Sequence, residues 1–170
     1  MIEATVGDLL DGTLWSIERD HVGEMPELSD VSVFDGWRAR QSKIYVVRDG
    51  NVVFYVGQSN EPIERLQAHV GRGIGGPSML GLTIAENLPQ SRAWTIELWT
   101  VQECKDALAD TTTVSWRWSK DNAEQAMIKA TNPCLNVTYN VDGRRLPDRY
   151  RRGSLAVDLS VTVSDFVPFE

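Results

Sequence analysis

The sequence predicts an α+β domain, a small three-stranded sheet, antiparallel or mixed, flanked by helices. Three observations carry this. Two β-branched, apolar runs, 43–47 and 52–56, flank Asp49-Gly50-Asn51, and Asp-Gly is the pair that a tight hairpin turn favours. A third run, 93–101, alternates Trp94, Ile96, Leu98 and Thr100 with Thr95, Glu97, Trp99 and Val101. Both sets are partly apolar, which predicts a central strand. Helical patterns follow at 62–70 and 121–131, and no βαβ repeat intervenes. A chain of 170 residues that is 42% hydrophobic has enough apolar side chain for one compact domain.

Residues 1–42 read as an acidic N-terminal extension. Thr5 to Leu10 predicts a short helix ending near Asp11-Gly12; Gly23, Pro26 and scattered acids then predict loop. Val33, Phe34 and Trp37 are placed to tuck the segment against the core. Residues 1–36 hold nine acids against Arg19 alone, so the net charge of −7 is concentrated there and the remainder is close to neutral. The plain reading of that segment is a solvated surface. The sharper one is a mask over a site or a surface for a basic partner.

The hairpin leads into a helix. Ser59 or Asn60 can cap it, Glu61 suits its positive end, and Pro62 stands in its first turn, where a missing N–H is harmless. Ile63, Leu66 and Val70 form its apolar stripe, while Arg65 and His69, four apart, share another face. Tyr45 and Tyr55 are cross-strand neighbours in the hairpin. Two phenols, a guanidinium and an imidazole are thus gathered by one hairpin and the helix after it. Phosphate chemistry uses such groups: a fixed cation for developing charge, and hydroxyl or imidazole to hold and deprotonate a water.

Gly71, Gly73 and Gly76 match G-x-G-x-x-G, but a helix precedes them where a dinucleotide site needs a strand. They read as a loop. The pattern from Pro77 to Leu88 is a helix closed by Pro89. Glu103-Cys104-Lys105 has the E-x-K form of another nuclease class without its upstream acid, and reads as the start of a helix through Leu108. Trp116 and Trp118 read as core or rim anchors before stacking groups. Ser119 or Asp121 caps the last helix, whose stripe is Ala123, Ala126, Met127 and Ala130, with Glu124 at its edge. Arg144, Arg145, Arg149, Arg151 and Arg152 form a cluster for which phosphate contact and a solvated turn are equal readings. Residues 154–167 alternate as a strand for an edge or a subunit contact.

In order and spacing, residues 42–136 resemble the GIY-YIG nucleases. Lys43-Ile44-Tyr45 is similar to the first signature element and Tyr55-Val56-Gly57 to the second; Arg65, His69, Glu124 and Asn136 follow at matching offsets. The departure is Lys43, where the family has glycine, and it places a cation beside the site. The resemblance implies a core at 43–136 with extensions at 1–42 and 137–170, all in one compact domain. It implies a metal-dependent endonuclease hydrolysing phosphodiester bonds in double-stranded DNA, in restriction, repair or a mobile element. Glu124 would hold Mg²⁺ or Mn²⁺; a single acidic ligand suits Mg²⁺, which keeps several waters. Tyr45 would serve as general base or water-positioning group, Tyr55 would orient phosphate or water, Arg65 would offset transition-state charge, and His69 would assist proton transfer or bind phosphate. Lys43, Asn136, Arg144, Arg145 and Arg149 are the expected substrate contacts.

Two other classes remain: a non-cutting nucleic-acid-binding module of the same fold, and an interaction or inhibitor protein led by its acidic segment. The lack of a separate DNA-binding domain leans towards an oligomer, such as a homodimer with one site per strand. No apolar run is long enough to cross a bilayer and no secretory signal opens the chain, which predicts a cytoplasmic protein. Cys104 and Cys134 lack metal-type spacing and read as inert thiols in a reducing compartment.

Overall fold

The computed structural model describes residues 1–26, 31–73, 76–109, 118–140 and 143–153. The 154–167 strand and the residues Trp116 and Arg117 lie outside the described residues. The hairpin forms as its turn chemistry requires: β2 (Ile44–Asp49) pairs antiparallel with β3 (Val52–Gln58). The third predicted strand is Thr95–Trp99, and it pairs antiparallel with β2.

The fold is α+β, but among the described residues its sheet has four strands, not three, and every pairing is antiparallel, so the mixed alternative falls away. The added strand is β1 (Ile2–Thr5), inside the segment read as an extension. With Thr95–Trp99 numbered β4, the order is β1-β4-β2-β3. β1 buries Ile2 and Ala4 and exposes Glu3 and Thr5, a proper alternation over only four residues. Its N-terminal amine is paired with Glu103, and β4, with neighbours on both sides, is central as its two apolar faces predicted.

Thr5 caps α1 (Val6–Asp11) through a capping box with Asp8, and Gly12 closes it. The stretch read as loop instead contains α2 (Leu14–Val22) and α3 (Val31–Ala39). Leu14 and Val22 are buried and Ile17 packs beside them, a helical stripe broken up in the sequence by Glu18 and Asp20. Trp37 packs on the core and its indole N–H donates to the Gly23 carbonyl at 3.2 Å, whereas Val33 is exposed.

Helices cover both faces of the sheet. On one face α1, α2, α4 (Pro62–His69) and α5 (Met79–Glu86) meet Tyr45, Val47, Phe54, Ile96 and Leu98. On the other, α6 (Val101–Leu108) and α7 (Lys120–Thr131) bring Cys104, Leu108, Ala123 and Met127 onto Ile44, Val46, Val53 and Val56. Ile128, not the expected Ala130, completes the α7 stripe. The β2–β3 register slips between Val47↔Tyr55 and Arg48↔Val53. That bulge lets Phe54 and Tyr55 both pack on the first face.

β3 is an edge strand, and part of its free edge is covered by the chain after α7. Cys134 N–H donates to the Val53 carbonyl at 3.0 Å and Leu135 N–H to Phe54 at 2.8 Å. Asn136 then uses its side chain like a strand backbone: Oδ1 accepts from Val56 N–H at 2.9 Å and Nδ2 donates to Val56 O at 2.7 Å. The strap ends there and leaves Gly57 and Gln58 uncovered by it. Tyr150 folds back onto Phe54 and Trp94 and donates to Asp49 Oδ2 at 2.8 Å. Both cysteines are free, and no helix among the described residues is long and apolar enough to cross a membrane.

Candidate active site

The site assembles at the open end of β3, where residues from both faces of the sheet meet. Tyr45 stands opposite Gly57 in the β2–β3 register. A side chain at 57 would collide with the Tyr45 ring and hydroxyl, so only glycine lets the phenol lie across the strand. Tyr55, two residues back on the same face, stacks on Tyr45 with ring centroids 6.1 Å apart. Both tyrosines therefore come together as the hairpin predicted.

Helix α4 starts at Pro62 as expected, but Glu61, not Ser59 or Asn60, holds the cap position; Ser59 Oγ accepts from the Glu61 N–H at 3.0 Å. Its last residue, His69, is buried and hydrogen-bonds Tyr45 Oη through Nε2 at 2.9 Å. The His69 ring also meets the Tyr55 ring edge-on at 5.2 Å. Arg65, one turn earlier, is exposed, and its guanidinium acts on Tyr45, Tyr55 and His69. Glu124 arrives from α7 on the opposite face. Its carboxylate nonetheless acts on both phenols. The gap is crossed at the edge of β3, where Gln58 acts on Glu124 and donates from Nε2 to Asp121, one turn before it.

Burial dominates the electrostatics. It pushes the Tyr45 phenol far above its ordinary value of 10, Tyr55 and Glu124 add to that, and Arg65 opposes it. Tyr55 is raised the same way, by burial and then Glu124. Burial also raises the Glu124 carboxyl, which Gln58 partly offsets. His69 is held down to about 4, first by burial and then by Arg65. At neutral pH the phenol therefore keeps its proton and the imidazole is neutral. The imidazole is bonded to Tyr45 Oη through Nε2 at 2.9 Å and to Ser78 Oγ through Nδ1 at 2.6 Å, so the neutral ring donates at one nitrogen and accepts at the other.

Ser78 is a residue that sequence reasoning passed over. It caps α5, accepting from Gly81 N–H, and its own N–H donates to the His69 carbonyl at 3.0 Å. A Cβ at Gly81 would overlap that same carbonyl, so glycine lets the start of α5 press against the end of α4. The serine before an apolar helical run was a legible cap; its partner nine residues earlier was not. Gln58 and Asp121 were passed over as site residues too. Gln58 Nε2 donates to Asp121 Oδ1, while Gln58 Oε1 is buried without a partner among the described residues.

The other expected residues lie elsewhere. Lys43 turns to Gln41 Oε1 at 3.2 Å and the Asn60 carbonyl at 3.0 Å, among the charges of Arg38, Glu18, Lys120 and Glu61. It is not brought to the tyrosines, where the resemblance had placed a cation; its long stem bends to the start of α4. Asn136 is committed to the Val56 backbone, so it holds the strand between the two site residues Tyr55 and Gly57 instead of facing a substrate. Arg144 donates to Asn51 O, Arg145 pairs with Asp148, and Arg149 lies over the Tyr150 ring. These three sit at the hairpin-turn end of β3, away from Tyr45. Glu103, in the E-x-K, is spent on the α6 capping box and the N-terminal amine.

The buried histidine gives the fold an acid limit. Unfolded, His69 takes a proton near its ordinary 6.5; folded, only near 4. Its contribution is fully present above pH 6.5 and is lost as the pH falls towards 4, up to about 3 kcal/mol. Urea denaturation across this range should show that slope in the native chain and a flatter one in His69→Asn. An unchanged slope would place the acid sensitivity elsewhere.

Among known proteins, no family model matches the chain, and no curated protein or solved structure matches it significantly.

Proposed function

We propose that the chain is a metal-dependent nuclease of the GIY-YIG type, cutting phosphodiester bonds in double-stranded DNA. The observation that supports this most is the meeting of Tyr45, Tyr55, Arg65, His69 and Glu124 at one open strand end, from a hairpin and two helices on opposite faces.

The donor set suits a hard divalent cation. Glu124 is a half-buried carboxylate, Asp121 lies one turn before it, and the buried Gln58 Oε1 has no hydrogen-bond partner among the described residues. Among the described residues no three His, Cys, Asp or Glu side chains cluster as a closed cage. One or two carboxylates with retained waters is the Mg²⁺ or Mn²⁺ pattern. When bound at Glu124, the ion would polarise the phosphate and stabilise the leaving 3′ oxygen.

The protein supplies the rest. Arg65, exposed beside the phenols, meets the phosphate oxygens and offsets their added charge in the transition state. Tyr55, less buried than Tyr45, orients the attacking water. As the water oxygen bonds to phosphorus, its proton passes to Tyr45 Oη while the phenol proton moves to His69 Nε2. The P–O3′ bond breaks and the leaving oxygen takes up the electron pair. Ser78 holds the ring through Nδ1; by accepting the Nδ1 proton it would leave Nε2 to take the proton of the phenol.

Supercoiled plasmid incubated with the chain and Mg²⁺ or Mn²⁺ should be nicked or linearised. Chelator should abolish the cutting, and Arg65→Ala should slow it by about 100-fold or more. Binding without cutting would instead assign a recognition module.

A further inference from the structure

Beside the first turn of α4 a groove of about 470 Å³ opens between that turn, α2 and the end of α3. Its walls are apolar, with Trp15, Val22, Trp37 and Ile63 among them. Trp15 is 43% exposed and Met25, at the mouth, 63%, so bulky apolar surface faces water here. The rim is acidic: Glu18, Glu24, Glu61 and Glu64 line it against Arg19 alone.

That charge is only partly offset within the described part of the chain, where Lys43 acts on Glu18 and Glu61. Arg19 pairs with Asp20, and none of the four rim carboxylates is in an ion pair among the described residues. The ammonium of Lys43, beside Glu18, is engaged with Gln41 and Asn60. Glu18 is partly buried, and burial raises its carboxyl. Glu61 and Glu64 face each other closely enough for a shared hydrogen bond to raise Glu64. Each of these groups would be stabilised by a cation brought from outside. Duplex DNA has the wrong sign for this rim.

We propose that the groove docks a basic peptide segment of a partner protein. A bulky apolar side chain seats among Trp15, Trp37 and Ile63, and flanking Lys or Arg residues meet the glutamates. The first turn of α4 forms one wall and Arg65 follows it directly, so an occupant touches the helix that carries two groups of the candidate active site. The proposal stands on the groove alone and does not need the nuclease reading.

Random peptides displayed on phage, selected against the full chain, test it. Enriched peptides should pair Leu, Phe or Trp with two or more Lys or Arg. A synthetic copy of the strongest should bind about tenfold more weakly to Trp15→Ala and to the double variant Glu61→Gln, Glu64→Gln. The second variant changes only exposed side chains and leaves folding out of the result. Added salt should weaken binding. Failure to enrich, enrichment of acidic peptides, or equal binding to both variants would overturn the proposal. Self-association lost in Trp15→Ala would assign the groove to a second copy of the chain, and competition by a duplex oligonucleotide would assign it to nucleic acid; either result overturns the peptide.

Discussion

Glu124→Gln should remove at least about a thousandfold of plasmid cleavage while leaving the fold intact. The side chain keeps its shape and loses only its charge. At neutral pH that charge is a cost to the folded state, because burial raises the carboxyl above its ordinary 4.5. The variant should therefore melt at the same temperature as the native chain or slightly above it. Mn²⁺ binding, read by calorimetry, should weaken with the activity. The phenols should also respond: Glu124 raises both Tyr45 and Tyr55, so without it each should ionise at lower pH in an absorbance titration. Cleavage retained by the variant would remove this carboxylate from the mechanism. Cleavage lost with the phenol titration unchanged would mean that Glu124 does not face the tyrosines.

Gly57→Ala should be the most damaging single methyl in the hairpin. The added carbon would occupy the space of the Tyr45 ring, which is only 1% exposed and has no open side to retreat to. Moving the ring breaks its hydrogen bond to His69, so overpacking and a lost buried bond combine to about 3 kcal/mol. Activity should fall with stability, since the same ring belongs to the proposed proton path. A double-mutant cycle isolates the cause. Tyr45→Ala empties the space, so Gly57→Ala in that background should cost about 1 kcal/mol or less. Equal costs in both backgrounds, measured by urea denaturation, would show that the collision is not what makes glycine necessary.

The difference between these residues and Lys43 shows what a one-dimensional pattern can carry. Tyr45, Tyr55, Arg65 and His69 were legible because each pair is set by local geometry: strand pairing across a short turn, or four residues along a helix. Lys43 shares that local geometry, yet its flexible side chain follows the carbonyl of Asn60, whose position depends on how the next helix starts. Glu124 stood at the edge of an apolar stripe, but its approach to the tyrosines from the other face depends on β3 being an edge strand. β1 was hidden because four alternating residues carry too little signal before they find β4. Ser78 was passed over: it caps α5 and is also the partner of His69, a pairing made when α5 packs against α4.

By itself, then, the sequence determined the α+β class, the hairpin, the starts of α4 and α7, and the side chains that local spacing brings together. Apolar periodicity and turn chemistry act over a few residues, and the backbone there has few alternatives. Only the tertiary structure decided that residues 2–5 complete the sheet, that Asn136 holds the edge of β3, and that the strap stops short of Gly57 and Gln58. Those outcomes depend on which surfaces meet after the whole chain packs, and no short stretch of sequence contains that information.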